Sequence, residues 1–232
     1  MIGVGLTILA TDIEDKALVL EMGMRGLGQI ENLSKYTSPD IAVITNIGSA
    51  HIGLLGSKEK ITYAKCEITK FLNPMGVVII PANDFFLEAA LKRKWKGRII
   101  KVELLDIDEN KKKTKKRENL QGFFDRTKNS IIIDEKVFDI SYKGFHNASN
   151  FLLAYAVAKE LGVEFEDFNR FKFVSLNGRN KIIKSKKTTI YDETYNASPE
   201  SVKACIENLF GNSSNNFLIF CLLYTSDAAD DW

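Results

Sequence analysis

Short apolar runs that end at turns alternate with amphipathic helical stretches through the first hundred residues, and few architectures satisfy that alternation. IAVITNIG (41–48), GVVIIPAND (76–84) and RIIKVELL (98–105) lack a regular polar face. A strand of that kind is covered on both sides. Between them, Leu27, Ile30, Leu33 and Tyr36 fall on one helical stripe, and Ile61, Ala64, Ile68 and Leu72 on a second. Residues 85–95 read as a third helix, and ALVLEM (17–22) as a short strand closed by an acid. The pattern is that of βαβ units: an α/β fold with a mostly parallel sheet flanked by helices. Ligands of such sheets sit beyond the carboxyl ends of the strands, which directs attention to Glu21, Asn46 and Asn83.

The second half changes texture. FFDRTKNSIIIDEKVFDISY (123–142) reads as a small antiparallel section with a turn at Lys128–Ser130. A helix is expected over 147–161, with Asn147 able to cap it and Gly162 to end it, and another over 164–173. KKTTIYDE (186–193), SPESVKACIENLF (198–210) and NFLIFCLL (216–223) read as strand, helix and strand, the start of a second α/β domain. Ser198 is placed to cap its helix, with Pro199 in the first turn.

Composition excludes several functions. With 32 basic and 30 acidic residues the net charge is +2, which offers no general attraction to nucleic acid or anionic membranes. The basic run KKKTKKR (111–117) is flanked by acids and lacks interleaved aromatics, so it reads as a solvated loop. No apolar stretch approaches the roughly 20 residues that span a bilayer. Three widely spaced cysteines, Cys66, Cys205 and Cys221, fit reduced thiols of a cytoplasmic protein.

Six segments concentrate polar chemistry at turns. In EMGMRGLGQI (21–30), Glu21 precedes three glycines; it is either an exposed acid or a ligand for a hard cation. In TNIGSAHIGLLGS (45–57), His51 follows a glycine turn and reads equally as an ordinary core or surface histidine. In YAKCEI (63–68), Lys65 shares a helical face with Ile61 and Ile68. It is either a snorkelling lysine or a partly buried amine made available for chemistry. KGFHNASN (143–150) brings His146, Asn147 and Asn150 to a helix start. NGRNK (177–181) places Arg179 after a turn, and YDETYNASPES (191–201) puts Asp192 before a helix N-terminus able to receive an anion.

In this order and spacing the six segments resemble the Mur ligase family, and within it the branch that adds D-alanyl-D-alanine to UDP-N-acetylmuramoyl-tripeptide in peptidoglycan precursor synthesis. EMGMRG and TYNASP are the blocks most specific to that branch. The opening IGVGLT resembles the family's IGVPLT with Gly5 in place of proline. The resemblance covers about residues 1–220. It implies an ATP-dependent ligase that activates a carboxylate as an acyl phosphate before an amine displaces phosphate. It further implies that Glu21 binds the Mg²⁺ bridging the ATP phosphates and that His51 binds a second Mg²⁺. Lys65 would be carbamylated by CO₂ to support that second ion. Asn147 and Asn150 would hold adenine, Arg179 the phosphates and Asp192 the ribose. His146 receives no role.

The resemblance divides the chain into an incomplete ATP-binding central domain (1–178), the start of a C-terminal ligase domain (179–220) and a tail (221–232). The tail resembles translated adapter sequence more than a protein element. The family's phosphate loop, which ends in Gly-Lys-Thr/Ser, is absent from these 232 residues. The chain is therefore expected to be a fragment that performs no ligation alone. The competing expectations are a neighbouring enzyme of the same fold (the third-residue ligase, a folylpolyglutamate synthase or a cyanophycin synthetase) or a non-catalytic nucleotide-binding remnant.

Overall fold

The computed structural model describes residues 2–107, 119–163, 178, 181–195 and 198–209. The chain divides into two compact units, Met1–Ile47 with His51–Ile100, and Gly48–Ala50 with Lys101–Trp232.

The first unit contains helix α1 (Ile2–Leu9), α2 (Gln29–Thr37), strand β1 (Ile41–Val43), α3 (Ile52–Leu55) and α4 (Lys58–Cys66). A 3₁₀ turn (Glu67–Phe71), β2 (Val77–Pro81) and α5 (Phe85–Lys94) follow, and β3 (Arg98–Asp106) begins here. Strands β1 and β2 pair in parallel from Ile41 opposite Val77 to Val43 opposite Ile79. All four residues Val77–Ile80 are buried, as an apolar run without alternation requires. Val78 and Ile80 join Ala42, Ile44, Ile61, Ala64, Leu72, Leu87 and Leu91 in one apolar core. Helix starts are fixed locally: the Ser57 hydroxyl accepts the Lys60 N–H at 3.3 Å, and the Asp84 carboxylate accepts the Leu87 N–H at 3.0 Å. Burial pushes the Cys66 thiol up to about 11.

The second unit contains the rest of β3, then β4 (Leu120–Asp125), β5 (Ser130–Ile133), β6 (Lys136–Asp139) and α6 (Phe145–Glu160). β3 and β4 pair in parallel, while β4–β5 and β5–β6 are antiparallel. Asp134 and Glu135, both at positive φ, form the two-residue turn that such a hairpin favours. Helix α6 buries Ala148, Leu152, Leu153, Tyr155 and Ala156. Phe138 packs at 5.5 Å from the Tyr155 ring and 5.7 Å from that of Phe151. An antiparallel pair, β7 (Lys181–Lys184) with β8 (Thr189–Asp192), precedes α7 (Pro199–Leu209).

The main-sheet strands run in the order β1-β2-β3-β4-β5-β6, and the architecture is the α/β class expected, with the antiparallel pairing confined to the tightly connected strands. Four expectations need correction. Residues 17–22 form no strand: Val19 is 83% exposed, and without a neighbouring ladder an extended segment has nothing to hydrogen-bond. β1 is only three residues long, although the Ile44 N–H still reaches the Ile79 carbonyl at 3.1 Å. Only the middle of the 27–36 stripe is buried, because α2 begins at Gln29 and leaves Leu27 outside, while Tyr36 is 77% exposed in its last turn. Asn147 does not cap α6, which starts two residues earlier behind Gly144. The helix expected over 164–173, the strand over 216–223, KKKTKKR and the tail lie outside the described residues. Among the described residues no helix is long and apolar enough to cross a membrane.

Gly76 enters β2 where a Cβ would meet the Asp40 carbonyl oxygen at 2.4 Å and that of Asn73 at 2.9 Å. Gly76→Ala is expected to destabilise the fold by about 1–3 kcal/mol, read as a lower thermal midpoint.

Candidate active site

In the first unit Glu21 and His51 stand on turns and Lys65 on helix α4. Glu21 is exposed on the irregular segment before α2, so its carboxylate is open to water rather than closing a strand. Met24, three residues on, is buried in the core and anchors this segment. His51 precedes α3 in a left-handed backbone, φ 63°. That conformation is uncommon outside glycine and marks a constrained position. Its carbonyl accepts the Leu54 and Leu55 N–H groups at 3.1 and 2.9 Å, so the one-turn helix fixes it. Lys65 is half-buried on α4, and its Nζ donates to the Asn46 carbonyl at 2.9 Å. Lys65 thus reaches the turn beyond β1, the strand-end turn that leads on to His51.

Mg²⁺ keeps most of its waters and takes one or two carboxylates together with substrate phosphates, so the Glu21 carboxylate fits it, whereas an imidazole such as that of His51 is a softer donor than it prefers. Glu21 supplies an exposed hard oxygen and His51 a ring nitrogen. Lys65 as an ammonium would repel the ion and as a carbamate would supply oxygens. Among the described residues no three His, Cys, Asp or Glu side chains form a ready-made metal cage.

The second unit carries the residues expected to meet a nucleotide. Asn147 and Asn150, three apart in the first turns of α6, lie on neighbouring positions of one face. The Asn147 side-chain amide donates to the Lys143 carbonyl at 2.8 Å, which orients it. Desolvation holds the His146 imidazole below its usual value, though the residue keeps substantial exposure. At the end of β8, Asp192 accepts the Thr194 hydroxyl at 2.7 Å and its N–H at 3.2 Å. These bonds, the side-chain one first, hold its carboxyl below the usual carboxylate range. The Tyr195 N–H donates to the Gly178 carbonyl at 3.0 Å, so the turn leading to Arg179 is stitched beside Asp192. Arg179 itself lies outside the described residues.

Sequence reasoning singled out Asn46 by its place at a strand end but not its backbone carbonyl, which no side-chain pattern reveals, and it missed two further residues. Glu200, on the first turn of α7, accepts both the Ser49 N–H at 3.0 Å and the Ser49 hydroxyl at 2.6 Å, a pairing 151 residues apart. Glu67 is a buried carboxylate directly after α4. It stands in YAKCEI but off the helical stripe of Ile61, Ala64, Ile68 and Leu72, so periodicity did not mark it as buried.

Fold and candidate site together define an α/β protein with two parallel strand pairs, whose candidate residues stand on strand-end turns, on helix α4 and at helix starts. Residues 1–158 match the Mur ligase middle domain, and the chain belongs to the Mur ligase family. It is 35% identical over 210 residues, 90% of its length, to a Synechocystis protein named UDP-N-acetylmuramoyl-tripeptide–D-alanyl-D-alanine ligase, and covers 43% of that relative. Among solved structures, MurF from Acinetobacter baumannii superposes with a TM-score of 0.74 at 27% identity, over 90% of this chain and 46% of that one. MurF ligase from Thermotoga maritima, crystallised in complex with ADP, superposes with a TM-score of 0.69 at 26% identity, over 90% and 48%. The chain spans less than half the length of these relatives.

The Ser49 hydroxyl, donating to Glu200, does most to hold the Glu200 carboxyl below its ordinary 4.5, and the Ser49 N–H adds to it. A lowered folded-state value means the contact contributes fully above pH 4.5 and is lost as pH falls through that lower value. The protection factor of the Ser49 amide, its exchange rate relative to an unprotected amide at the same pH, is expected to be high at neutral pH and to fall in acid, and Glu200→Ala is expected to lower it at neutral pH and remove that change with pH.

Proposed function

We propose that this chain is the nucleotide-handling part of an ATP-dependent ligase that joins D-alanyl-D-alanine to UDP-N-acetylmuramoyl-tripeptide in the cytoplasm. The observation that carries the reading is the likeness to ligases of that name over 90% of the chain, together with the candidate residues standing on turns of this fold. In the domain scheme that goes with it, residues 1–178 belong to the ATP-binding central domain and 179–220 open the amine-side domain.

A peptide carboxylate is a poor acyl donor until one of its oxygens bonds to the γ-phosphorus of ATP and ADP leaves. The amine nitrogen of D-alanyl-D-alanine then attacks the acyl carbon, phosphate departs, and the nitrogen gives up a proton. Such phosphoryl transfer rests on positioning and charge neutralisation. Bound Mg²⁺ supplies charge neutralisation at the phosphates. Glu21 and His51 are the residues that would hold it, with Lys65 as a carbamate aiding the His51 ion. Asn147 and Asn150 would bind adenine by side-chain amides, Asp192 would accept ribose hydroxyls, and Arg179 would pair with phosphate. The ADP complex of the Thermotoga relative supports the nucleotide assignment.

Two measurements test this. Equilibrium binding of ADP to this chain is expected to weaken about tenfold in Asp192→Ala, the loss of one or two hydrogen bonds to a charged acceptor. If the variant binds ADP as tightly as the parent chain, the ribose assignment fails. In the intact ligase carrying these residues, Lys65→Ala is expected to lower turnover with tripeptide and dipeptide by at least about 10–100-fold, unrestored by Lys65→Arg. Isotope-labelled bicarbonate should give a carbamate carbon signal that Lys65→Arg lacks. Normal turnover in Lys65→Ala would remove the carbamate from the mechanism.

A further inference from the structure

Among the described residues the machinery proposed above leaves two buried carboxylates without a task, Glu103, which accepts the Gln121 side-chain amide at 2.9 Å, and Glu67. Glu67 is 5% exposed, on the 3₁₀ turn that continues α4. A buried carboxylate is costly unless hydrogen-bonded. Its Oε1 accepts the Gly28 N–H at 2.8 Å, and its Oε2 lies 3.4 Å from the Glu31 nitrogen. These are groups of the first turn of α2, where N–H groups lack intrahelical partners and negative charge is favoured. Gly28 stands at the cap position with φ 81° and has no side chain to satisfy them. Glu67 does so from 36 and 39 residues away.

The bond closes the turn that begins at Glu21. Met24 is buried in the core, the Arg25 N–H donates to the Gln29 side chain at 2.8 Å, and Gly28 is tied to Glu67. Lys70, one helical turn beyond Glu67, adds an exposed ion pair to Glu31 at 3.3 Å, of small value by itself. Lys65, two residues before Glu67, reaches the Asn46 carbonyl. The three residues Lys65-Cys66-Glu67 therefore grip two separate turns, one through an amine and one through a carboxylate.

We propose that Glu67 is a positioning residue. By capping α2 it fixes the glycine turn 22–28 and, through that turn, sets the Glu21 carboxylate in the unit that also holds Lys65. The inference rests on reading Glu21 as a metal-binding acid.

Residue-resolved hydrogen exchange and Mn²⁺ titration of the 232-residue chain test it. In Glu67→Ala, exchange at Gly28 and Glu31 should rise at least tenfold while β1, β2 and α5 keep theirs. Glu67→Gln keeps an acceptor oxygen but loses the charge assistance, so it should fold like the parent and show a smaller rise at the same two amides. Mn²⁺ affinity should fall about tenfold in Glu67→Ala, with Glu67→Gln nearer the parent. Unchanged exchange at Gly28 in both variants, or a rise spread evenly over the unit, overturns the tether. A freed turn with unchanged Mn²⁺ affinity overturns the positioning role and leaves a plain helix cap. A parent chain that takes up no Mn²⁺ overturns the metal reading of Glu21, and with it the functional half of this proposal, while the exchange arm still decides the tether.

Discussion

Val77–Ile80 has no polar face, and the first unit is arranged around that fact. A strand of four buried aliphatic residues needs covering on two sides, so the chain must supply helices between its strands and cannot leave a face in water. Crossovers of that kind send every return through a turn at the strand ends. Those turns are where Asn46, His51 and Asn83 stand, two of them in a left-handed backbone that the tight geometry imposes. The candidate residues on these turns of the Mur ligase middle domain are thus where the apolar core leaves room for polar groups.

Legibility in the sequence followed the same logic. Helix α4 could be read because Ile61 and Ala64 fall at helical spacing and are buried together, although the helix ends at Cys66 and Leu72 joins the core from beyond the 3₁₀ turn. Strand β2 could be read because it is uniformly apolar and bounded by Gly76 and Asn83. ALVLEM has the same local look, yet it is no strand, because strand formation is decided by a pairing partner that local composition does not encode. β7 went unexpected for a related reason: KIIK is short, charged at both ends and exposed throughout, so no burial pattern marks it. Asn147 was misread as a cap because a helix start is set by backbone geometry at Gly144, and several polar residues nearby were equally plausible.

The site divides likewise. Glu21, His51, Lys65, Asn147, Asn150 and Asp192 stood out as polar residues at turns, and motif order gave them a common context. Partners that act through the main chain, or across many residues, had no such signature. The Asn46 carbonyl is invisible to residue identity, and the bond between Glu200 and Ser49 joins positions that only folding brings together. Glu67 belongs with them: it lies off the apolar stripe of its helix, and only the structure shows that it is buried and that Gly28 is what it holds.

Between the two residues that reach outward sits Cys66, fully buried, with a thiol that burial keeps protonated to about 11. At pH 7 about one such thiol in ten thousand is the reactive thiolate, and an electrophile cannot reach it while α4 stays packed. Alkylation of Cys66 therefore counts openings of the helix end. The residue between the amine and carboxylate grips is thus a chemical reporter of how often the end of α4 opens.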